Sequence, residues 1–172
     1  MKIEIQPNHQ MPEDERRHMD AWLEQTFGYD DLGVEWAKDD WSVLVRLDDQ
    51  IVCHVGIVER VGRVNGQPVR LGGIGGVATR VEYRKRGLAQ AAMERAAEFM
   101  RDELGVEFGL LVCSQPKIAY YSKLGWRCVP GPLMFDQPKG QVTFGEQTKI
   151  MILPCTERDW PQGAIDLCGL PW

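Results

Sequence analysis

The sequence predicts an α/β (α+β) fold, in which a mixed, mostly antiparallel central sheet is flanked by helices. Three observations lead to this fold class. Runs rich in β-branched residues alternate with helical periods along the chain. Short polar turns join neighbouring strands as hairpins, which pair antiparallel. One strand then runs through a basic, glycine-bearing turn into a helix. With 172 residues, 44% of them hydrophobic, the chain is long enough for one domain, predicted over residues 1–172.

The first third of the chain is predicted to hold a strand, a helix and a hairpin. Ile3 to Ile5 is a short strand. Pro12 opens a helix whose first turn is acidic, as the helix dipole favours, and Gly28 ends it. Trp41 to Leu47 and Ile51 to Val61 are β-branched strands joined by a polar turn. The centre of the sheet is therefore predicted to be antiparallel and meandering.

The middle of the chain alternates strands and helices. Val69 to Ala78 is a strand that follows an Asn-Gly turn. Apolar residues recur with a helical period from Leu88 to Leu104, and Gly105 stops that helix. Phe108 to Cys113 is a short apolar strand, and a helix follows near Lys117 to Leu124. This order continues the alternation that predicts the fold class.

The last third is predicted to be less regular. The segment from Arg127 to Gly145 holds three prolines and is expected to be rich in loops. Lys149 to Leu153 is a strand, and the tail from Thr156 to Trp172 has little periodicity. We find no internal repeat, low-complexity tract or linker in the sequence.

Charge and residue usage limit the partners and the compartment. The net charge of −5 argues against nucleic acid, which needs a basic face, and favours a cationic small molecule. Acidic residues gather at 29–31 and 35–40, where the alternative is that they only cap helices and aid solubility. The sequence has no long apolar run and no signal-peptide pattern, so we expect a cytoplasmic protein without a membrane partner.

The cysteines and histidines do not suggest a metal site. The five cysteines are odd in number and widely spaced, which predicts reduced thiols, and the three histidines form no metal-binding motif. Cys53 and His54 are adjacent on a strand, so their side chains point to opposite faces and do not form a nucleophilic pair. No metal is therefore expected.

The most informative segment is the strand–turn–helix from Val77 to Ala89. A helix start presents backbone N–H groups without acceptors and adds partial positive charge, so it binds anions. Gly87 lets the backbone approach the anion closely, and the preceding Arg84, Lys85 and Arg86 supply formal charge. This turn predicts a pyrophosphate site. The alternative is a solvated basic helix start without a ligand.

Two motifs resemble the GNAT superfamily of N-acetyltransferases. The run from Arg84 to Ala89 resembles the family signature Arg/Gln-x-x-Gly-x-Gly/Ala, and Ala119 to Trp126 resembles its Ala-x-x-Phe-Tyr-x-x-x-Gly-Phe run. The resemblance implies a GNAT fold that holds acetyl-CoA at a splayed strand pair. It implies these cofactor-binding residues: Val77, Ala78, Thr79, Arg84, Lys85, Arg86, Gly87, Leu88 and Ala89.

The same resemblance implies a catalytic role for Tyr121. Its hydroxyl would protonate the departing thiolate, and pKa values near 10 and 8.5 make that transfer close to balanced. The alternative is that Tyr121 packs as an ordinary aromatic residue. Tyr120 is expected in the core.

A closer resemblance is to the aminoglycoside 2′-N-acetyltransferases. It rests on Cys113-Ser114-Gln115, Gly125-Trp126, Gly131-Pro132, the strand at 150–154 and the tail from Asp159 to Trp172. The resemblance implies that Ser114 contacts the aminoglycoside and that the Trp172 carboxylate binds an amine. The acids of the segment between the first helix and the second strand, Asp30 and Asp31 among them, are expected to form the acceptor pocket.

These similarities imply an antibiotic-resistance enzyme, with a homodimer left open. The alternatives are a GNAT enzyme for another amine, such as a polyamine, a protein N-terminus or a metabolite, and a non-catalytic acetyl-CoA-binding module. The tail is also similar to rhizobial nodulation N-acyltransferases.

One position departs from the family pattern. The 2′-N-acetyltransferases have a glutamate before Gly-Val-Ala that deprotonates the amine through water, and Gly75 stands there in this sequence. An ammonium must lose a proton before it can attack a thioester. Glu146 lies close to a substrate-contacting aspartate of the family and is our predicted base, although waters or an already neutral amine could replace it. The predicted catalytic residues are therefore Tyr121 and Glu146.

Overall fold

The computed structural model describes residues 1–172 except for the side chains of two aspartates. The predicted substrate-binding residues Asp30 and Asp31 therefore lie outside the described residues. The helices are α1 (Glu13–Phe27), α2 (Leu88–Asp102) and α3 (Ile118–Ser122). The strands are β1 (Lys2–Pro7), β2 (Trp41–Leu47), β3 (Gln50–Val64), β4 (Gln67–Thr79), β5 (Phe108–Ser114), β6 (Arg127–Val129), β7 (Leu133–Gln137), β8 (Gly140–Thr143), β9 (Thr148–Pro154) and β10 (Ile165–Asp166).

The strands form one curled, mixed sheet. Its main order is β6-β9-β5-β4-β3-β10-β7-β8, and β2 also pairs with β3 and carries β1 on its other edge. The β1–β2, β2–β3 and β3–β4 pairs are antiparallel, as the hairpin turns predict. The β4–β5 and β7–β10 pairs are parallel. The predicted fold class, a mixed and mostly antiparallel sheet flanked by helices, is confirmed.

The two faces of the sheet carry different elements. On β2, Val43 and Val45 face the core cluster that contains α2, whereas Leu44 faces the cluster that contains α1. This alternation follows from the period of two in a strand. A third cluster, which includes Leu110 and Trp172, covers the far part of the sheet and brings the end of the sequence against β5. The face that carries α1 and the chain's last residues becomes important for the site.

The predicted loop-rich segment is where the sequence analysis was wrong. Residues 127–145 contain β6, β7 and β8, and the tail contains β10. These strands are short and take their partners from β9, β3 and each other, so no local period reveals them. Pro130, Pro132 and Pro138 lie between the strands, where no ladder N–H is lost. The helix predicted near Lys117 to Leu124 is shorter, because Gln115–Lys117 forms a 3-10 turn instead.

None of the helices in the described part of the chain has the length and apolarity that a membrane span requires. All five cysteines are free.

Candidate active site

The site begins where β4 and β5 separate. The two strands pair at three positions, from Leu71 with Phe108 to Gly73 with Leu110. Beyond the last pair, β4 runs on to Thr79 and β5 runs on to Ser114. We call the space between these two ends the β4–β5 opening. Because peptide groups that leave a ladder keep their hydrogen-bonding capacity, an extended ligand can bind between the strands.

A bulge lies on the β4 side of the opening. Between the pairs His54–Ala78 and Gly56–Gly75, β3 contributes one residue and β4 contributes two, Gly76 and Val77. Gly76 has a φ of +57°. A bulge leaves backbone groups outside the ladder and redirects the strand, which is why bulges often border active sites. The predicted cofactor residues Val77, Ala78 and Thr79 lie at this bulge and the strand end that follows it.

The predicted phosphate turn, residues 84–89, follows the end of β4. Gly87 stands directly before α2 with a φ of +75°, and a Cβ there would meet nothing within 4 Å. Within the described residues, no side-chain hydrogen bond caps this helix start. Arg84, Lys85 and Arg86 are exposed, and the Arg84 Nε donates to the Thr79 carbonyl oxygen at 3.1 Å. The turn thus offers unpaired N–H groups, open space and positive charge, which suit a pyrophosphate. Leu88 is buried and anchors the turn to the core.

The two neighbouring tyrosines have different environments. Tyr121 is 7% exposed and belongs to the core cluster with Leu88 and Leu111, whereas Tyr120 is 38% exposed. The expectation that Tyr120 is a core residue is therefore wrong, because α3 is one and a half turns long and turns only one of the two inward. Burial raises the pKa of Tyr121 to about 12, with smaller contributions from Tyr120 and Cys113. Proton transfer from Tyr121 to a thiolate is then uphill rather than close to balanced.

Trp172 lies across the base of the opening. Its indole N–H donates to the Leu110 carbonyl oxygen at 3.0 Å, and the ring occupies the space that a side chain at Gly73 would need. Its main-chain carbonyl carbon lies 3.1 Å from where a Cβ on Gly75 would stand. Arg60 stacks over the other side of the ring, 5.1 Å from its centroid. A side chain at Gly75 would therefore be in tight contact with the main chain of Trp172.

A buried polar cluster that the sequence analysis missed lies beside the bulge. His54 is fully buried, and its Nδ1 lies 2.8 Å from the Gly76 carbonyl oxygen. A carbonyl can only accept, so Nδ1 carries the proton. The Nε2 lies 3.1 Å from the Ser42 Oγ and 3.6 Å from the Asp39 Oδ2. The single Ser42 hydroxyl hydrogen is donated to the Asn8 Oδ1 at 2.6 Å.

The two titratable groups of this cluster have strongly shifted pKa values. Burial lowers the pKa of His54 to about 4, although the bond to Gly76 opposes this shift. Burial raises the pKa of Asp39 to about 7, and the nearby Asp40 and Asp20 carboxylates raise it further. Asp39 belongs to the acidic run that the sequence analysis noted, but no local pattern distinguishes it from its neighbours.

Asp39, His54 and Trp172 lie on one face of the sheet. The Asp39 carboxylate occupies the space that a side chain at Gly56 would need. Gly56 is directly opposite Gly75, and side chains at opposite positions share a face with Cβ atoms about 4.5–5.5 Å apart. We call this face of the bulge, with Asp39, His54 and Trp172 over it, the acceptor side.

The remaining predicted site residues lie at the far end of β5. Ser114 is exposed and pairs with Thr148 of β9. Glu146 is exposed in the loop before β9, where its main-chain oxygen accepts from the Lys149 Nζ at 2.9 Å. The structure thus brings the phosphate turn, the bulge and Trp172 to one opening. Ser114 lies at the end of β5, and Glu146 lies in the loop before β9, which pairs with the edge of β5 that faces away from β4.

A splayed parallel strand pair with a bulge and an anion-binding helix start defines a protein that binds an acyl-CoA. Residues 10–129, more than half of the sequence, match the family model described as an acetyltransferase (GNAT) domain. The chain belongs to the GNAT family of N-acetyltransferases, whose usual acyl donor is acetyl-CoA. The predicted family, N-acetyltransferase class and cofactor are confirmed at this level.

Known proteins that resemble the chain agree with this family. It is 28% identical over 127 residues to an aminoglycoside 2′-N-acetyltransferase of Mycolicibacterium fortuitum. The match covers 73% of this chain and 64% of that protein, less than two thirds of the relative's length.

Solved structures share the fold at low identity. The GNAT family N-acetyltransferase YhbS of Escherichia coli, solved in complex with CoA, is similar with a TM-score of 0.61 and 16% identity. That match covers 99% of this chain and 94% of YhbS. An acyl-CoA N-acyltransferase from Pseudomonas aeruginosa has a TM-score of 0.62 and 18% identity, covering 88% of this chain and 98% of that one.

Proposed function

We propose that this chain, as one cytoplasmic domain of residues 1–172, transfers the acetyl group of acetyl-CoA to an amino group of an aminoglycoside antibiotic. The observation that carries this proposal is a set of carboxylates on the acceptor side, in a chain that is 28% identical to an aminoglycoside 2′-N-acetyltransferase. Asp39 lies directly over the strands, and Asp40 and Asp20 lie near enough to raise its pKa. An aminoglycoside carries several ammonium groups, which such carboxylates attract.

On the donor side, the phosphate turn binds the pyrophosphate of CoA. The backbone of Val77 and Thr79 holds the pantetheine arm in the β4–β5 opening and places the thioester carbonyl at the bulge. Juxtaposing the two reactants in this way accounts for much of the acceleration that enzymes of this kind achieve. Direct attack of the amine then needs no covalent enzyme intermediate.

Tyr121 assists the departing sulfur. With a pKa of about 12, its hydroxyl is protonated at neutral pH and can always donate a hydrogen bond. The same high pKa makes complete proton transfer to a thiolate unfavourable, so Tyr121 acts mainly by stabilising the developing negative charge.

Trp172 and Ser114 complete the acceptor pocket in this proposal. The main chain of Trp172 lies beside Gly75, which supports the amine-binding role that the resemblance assigns to this residue. Ser114 is exposed at the end of β5 and can contact a sugar hydroxyl. Because Gly75 replaces the family glutamate, the modified amine is the part of the proposal that most needs a direct measurement.

The test is an acetylation assay with a matched pair of acceptors. Kanamycin B and kanamycin A differ only in an amine or a hydroxyl at the 2′ position. Thiol release from acetyl-CoA is measured for both, with the product analysed by mass spectrometry and NMR, and with spermidine and an N-terminal peptide as further acceptors. We expect turnover of kanamycin B and little turnover of kanamycin A.

Three other results would contradict parts of the proposal. Equal turnover of both kanamycins would exclude 2′ selectivity. Turnover of spermidine or the peptide alone would replace the aminoglycoside with another amine. CoA binding without any thiol release would indicate a non-catalytic module.

Size-exclusion chromatography of the same sample tests whether the protein is a homodimer.

A further inference from the structure

At Gly75 the acceptor side lacks the glutamate side chain of the related enzymes. The Asp39 carboxylate lies on the same side of the sheet instead. Gly75 has no side chain, and Trp172 fills the space beside it. On the neighbouring strand, Gly56 also has no side chain, and the Asp39 carboxylate fills the space beside it. Because Gly56 and Gly75 are directly opposite, the Asp39 carboxylate lies about one strand spacing from the point where a side chain at Gly75 would start.

We propose that Asp39 is the general base of the transfer reaction and that His54 is the residue that positions and tunes it. This inference rests on the proposed function, since it concerns the proton that the acceptor amine must lose. It assigns the role to Asp39 instead of Glu146, which is exposed in the loop before β9.

The surroundings of Asp39 suit a proton acceptor. Its side chain is 20% exposed, so an amine or a water can reach it and a proton can leave to solvent. The groups that face it are His54 from β3, Tyr29 from the turn after α1, Asp20 from α1 and Asp40 beside it. Burial and two like charges hold its pKa near neutrality, the range in which a general base is most effective.

The hydrogen bond to Gly76 fixes the tautomer of His54 and therefore what its Nε2 presents to Asp39. The Nδ1–H donates to the Gly76 carbonyl, so Nε2 presents a lone pair towards Asp39 at 3.6 Å. An ionised Asp39 is repelled by that lone pair, whereas a protonated Asp39 can point its hydrogen at it. His54 therefore favours proton uptake by Asp39. Through the same Gly76 carbonyl it also fixes the bulge, where the thioester is proposed to bind.

The proton balance is complete with these groups. The acceptor ammonium gives one proton to the Asp39 carboxylate, and the amine lone pair attacks the thioester carbonyl carbon. The C–N bond forms, the C–S bond breaks, and the electron pair leaves with the sulfur beside the Tyr121 hydroxyl. The nitrogen then loses its second proton, and the thiolate takes up one proton in its place and becomes the free thiol. Asp39 then releases its proton to solvent.

The experiment compares Asp39→Asn with wild-type enzyme across pH. For the best amine of the acceptor panel, we expect wild-type kcat/KM to rise with pH through an inflection near pH 7, because the base must be ionised. Asp39→Asn should lower kcat/KM by about 10²–10⁴-fold and remove the inflection. The affinity for CoA, measured by calorimetry, should not change, since Asp39 lies away from the phosphate turn.

Two further variants separate a base from a structural residue. Asp20→Asn removes a like charge that raises the pKa of Asp39, so the inflection in kcat/KM should move to lower pH. Replacement of His54 by Gln should also move the inflection, since it removes the fixed Nε2 lone pair. ¹³C NMR of the aspartate carboxyl groups should show one group that titrates near pH 7 and is lost in Asp39→Asn.

The inference fails if Asp39→Asn keeps the wild-type pH profile, if Glu146→Gln rather than Asp39→Asn removes the inflection, or if every aspartate titrates below about pH 5. Wild-type enzyme that acetylates no amine of the panel would instead refute the proposed function, a result distinct from active wild-type enzyme with an equally active Asp39→Asn variant.

Discussion

The donor side and the acceptor side of the site are built in different ways. The donor side, with the phosphate turn at residues 84–89 and the end of β4, comes from one continuous segment whose charged residues are exposed. The acceptor side brings together Asp39, His54 and Trp172, which are far apart in sequence and largely buried. The donor side depends on backbone conformation and local charge. The acceptor side depends on packing and strand register, and it carries the strongly shifted pKa values.

This difference predicts that changes on the acceptor side alter the pH dependence of both stability and chemistry, whereas changes on the donor side act mainly on CoA affinity.

The largest effect is expected in the pH dependence of stability at the buried cluster. The folded-state pKa of Asp39 is about 7, well above its unfolded value, so the folded protein binds the extra proton and wild-type stability falls as pH rises towards 7. Asp39→Asn removes this loss. The unfolding free energy of the variant relative to wild type should therefore increase by about 3 kcal/mol between pH 4 and pH 7, as measured by urea denaturation.

His54→Gln is the control, because its stability relative to wild type should change with pH in the opposite direction. Its folded-state pKa of about 4 lies below the unfolded value of 6.5, so wild-type stability from this group rises as pH increases between the two. For His54→Gln, the unfolding free energy relative to wild type should fall by about 3 kcal/mol over that range. Difference curves of the same sign for both variants would contradict the assigned burial of this pair.

Tyr121 packs in the core cluster that contains α2, and its hydroxyl is expected to affect chemistry more than folding. Tyr121→Phe should lower kcat by about 10²-fold, since the leaving thiolate loses its hydrogen-bond donor. The unfolding free energy should change by less than about 1.5 kcal/mol. Steady-state kinetics and denaturation measure the two effects.

The control for this variant is the neighbouring Tyr120→Phe, which changes the same group at an exposed position. Its kcat should stay at the wild-type value. Equal losses in both variants would assign the effect to α3 as a whole rather than to the Tyr121 hydroxyl.

On the donor side, Gly87→Val tests backbone geometry. At a φ of +75° a β-branched residue costs about 1–2 kcal/mol, and its side chain would stand where the pyrophosphate must approach. We expect CoA affinity, measured by calorimetry, to fall by at least about tenfold. Gly66→Val is the matched control, because Gly66 has a φ of +74° in the β3–β4 turn and equally open space. It should lose similar stability but bind CoA normally.

The smallest effect is expected for Arg84→Gln. The exposed guanidinium contributes charge to the phosphate turn, so CoA affinity should weaken about threefold to tenfold at low salt and less at high salt. Stability should change by no more than about 0.5 kcal/mol. Arg101→Gln removes the same charge at the opposite end of α2 and should leave CoA affinity unchanged. A salt-independent loss for Arg84→Gln would argue against an electrostatic role.

The sequence predicted the long strands and helices of both sides closely. The hairpin from Trp41 to Val61, the strand from Val69 to Ala78 and the helix from Leu88 each lie within a few residues of β2–β3, β4 and α2. These elements have strong local periods and end at turn residues. The short strands β6, β7, β8 and β10 were missed, because their pairing depends on distant partners rather than on a local period.

Only part of the acceptor side could be predicted from the sequence. The acidic run and Trp172 were noted, and Gly75 was recognised as a departure from the family pattern. Asp39 could not be separated from its acidic neighbours, and His54 was considered only as the neighbour of Cys53. Tyr120 was wrongly expected in the core, because the rotation of a five-residue helix is set by what it packs against.

The sequence alone was enough to predict the fold class, the family and the position of the glycine turn before α2, because hydrophobic periods, turn residues and a glycine before a helix act over a few neighbouring residues. Only the tertiary structure decided which carboxylate lies over the bulge. The register that sets Gly56 opposite Gly75, and the path that brings Asp39 against Gly56, are long-range outcomes of packing. Burial in that packing, rather than residue type, raises the pKa of Asp39 to about 7.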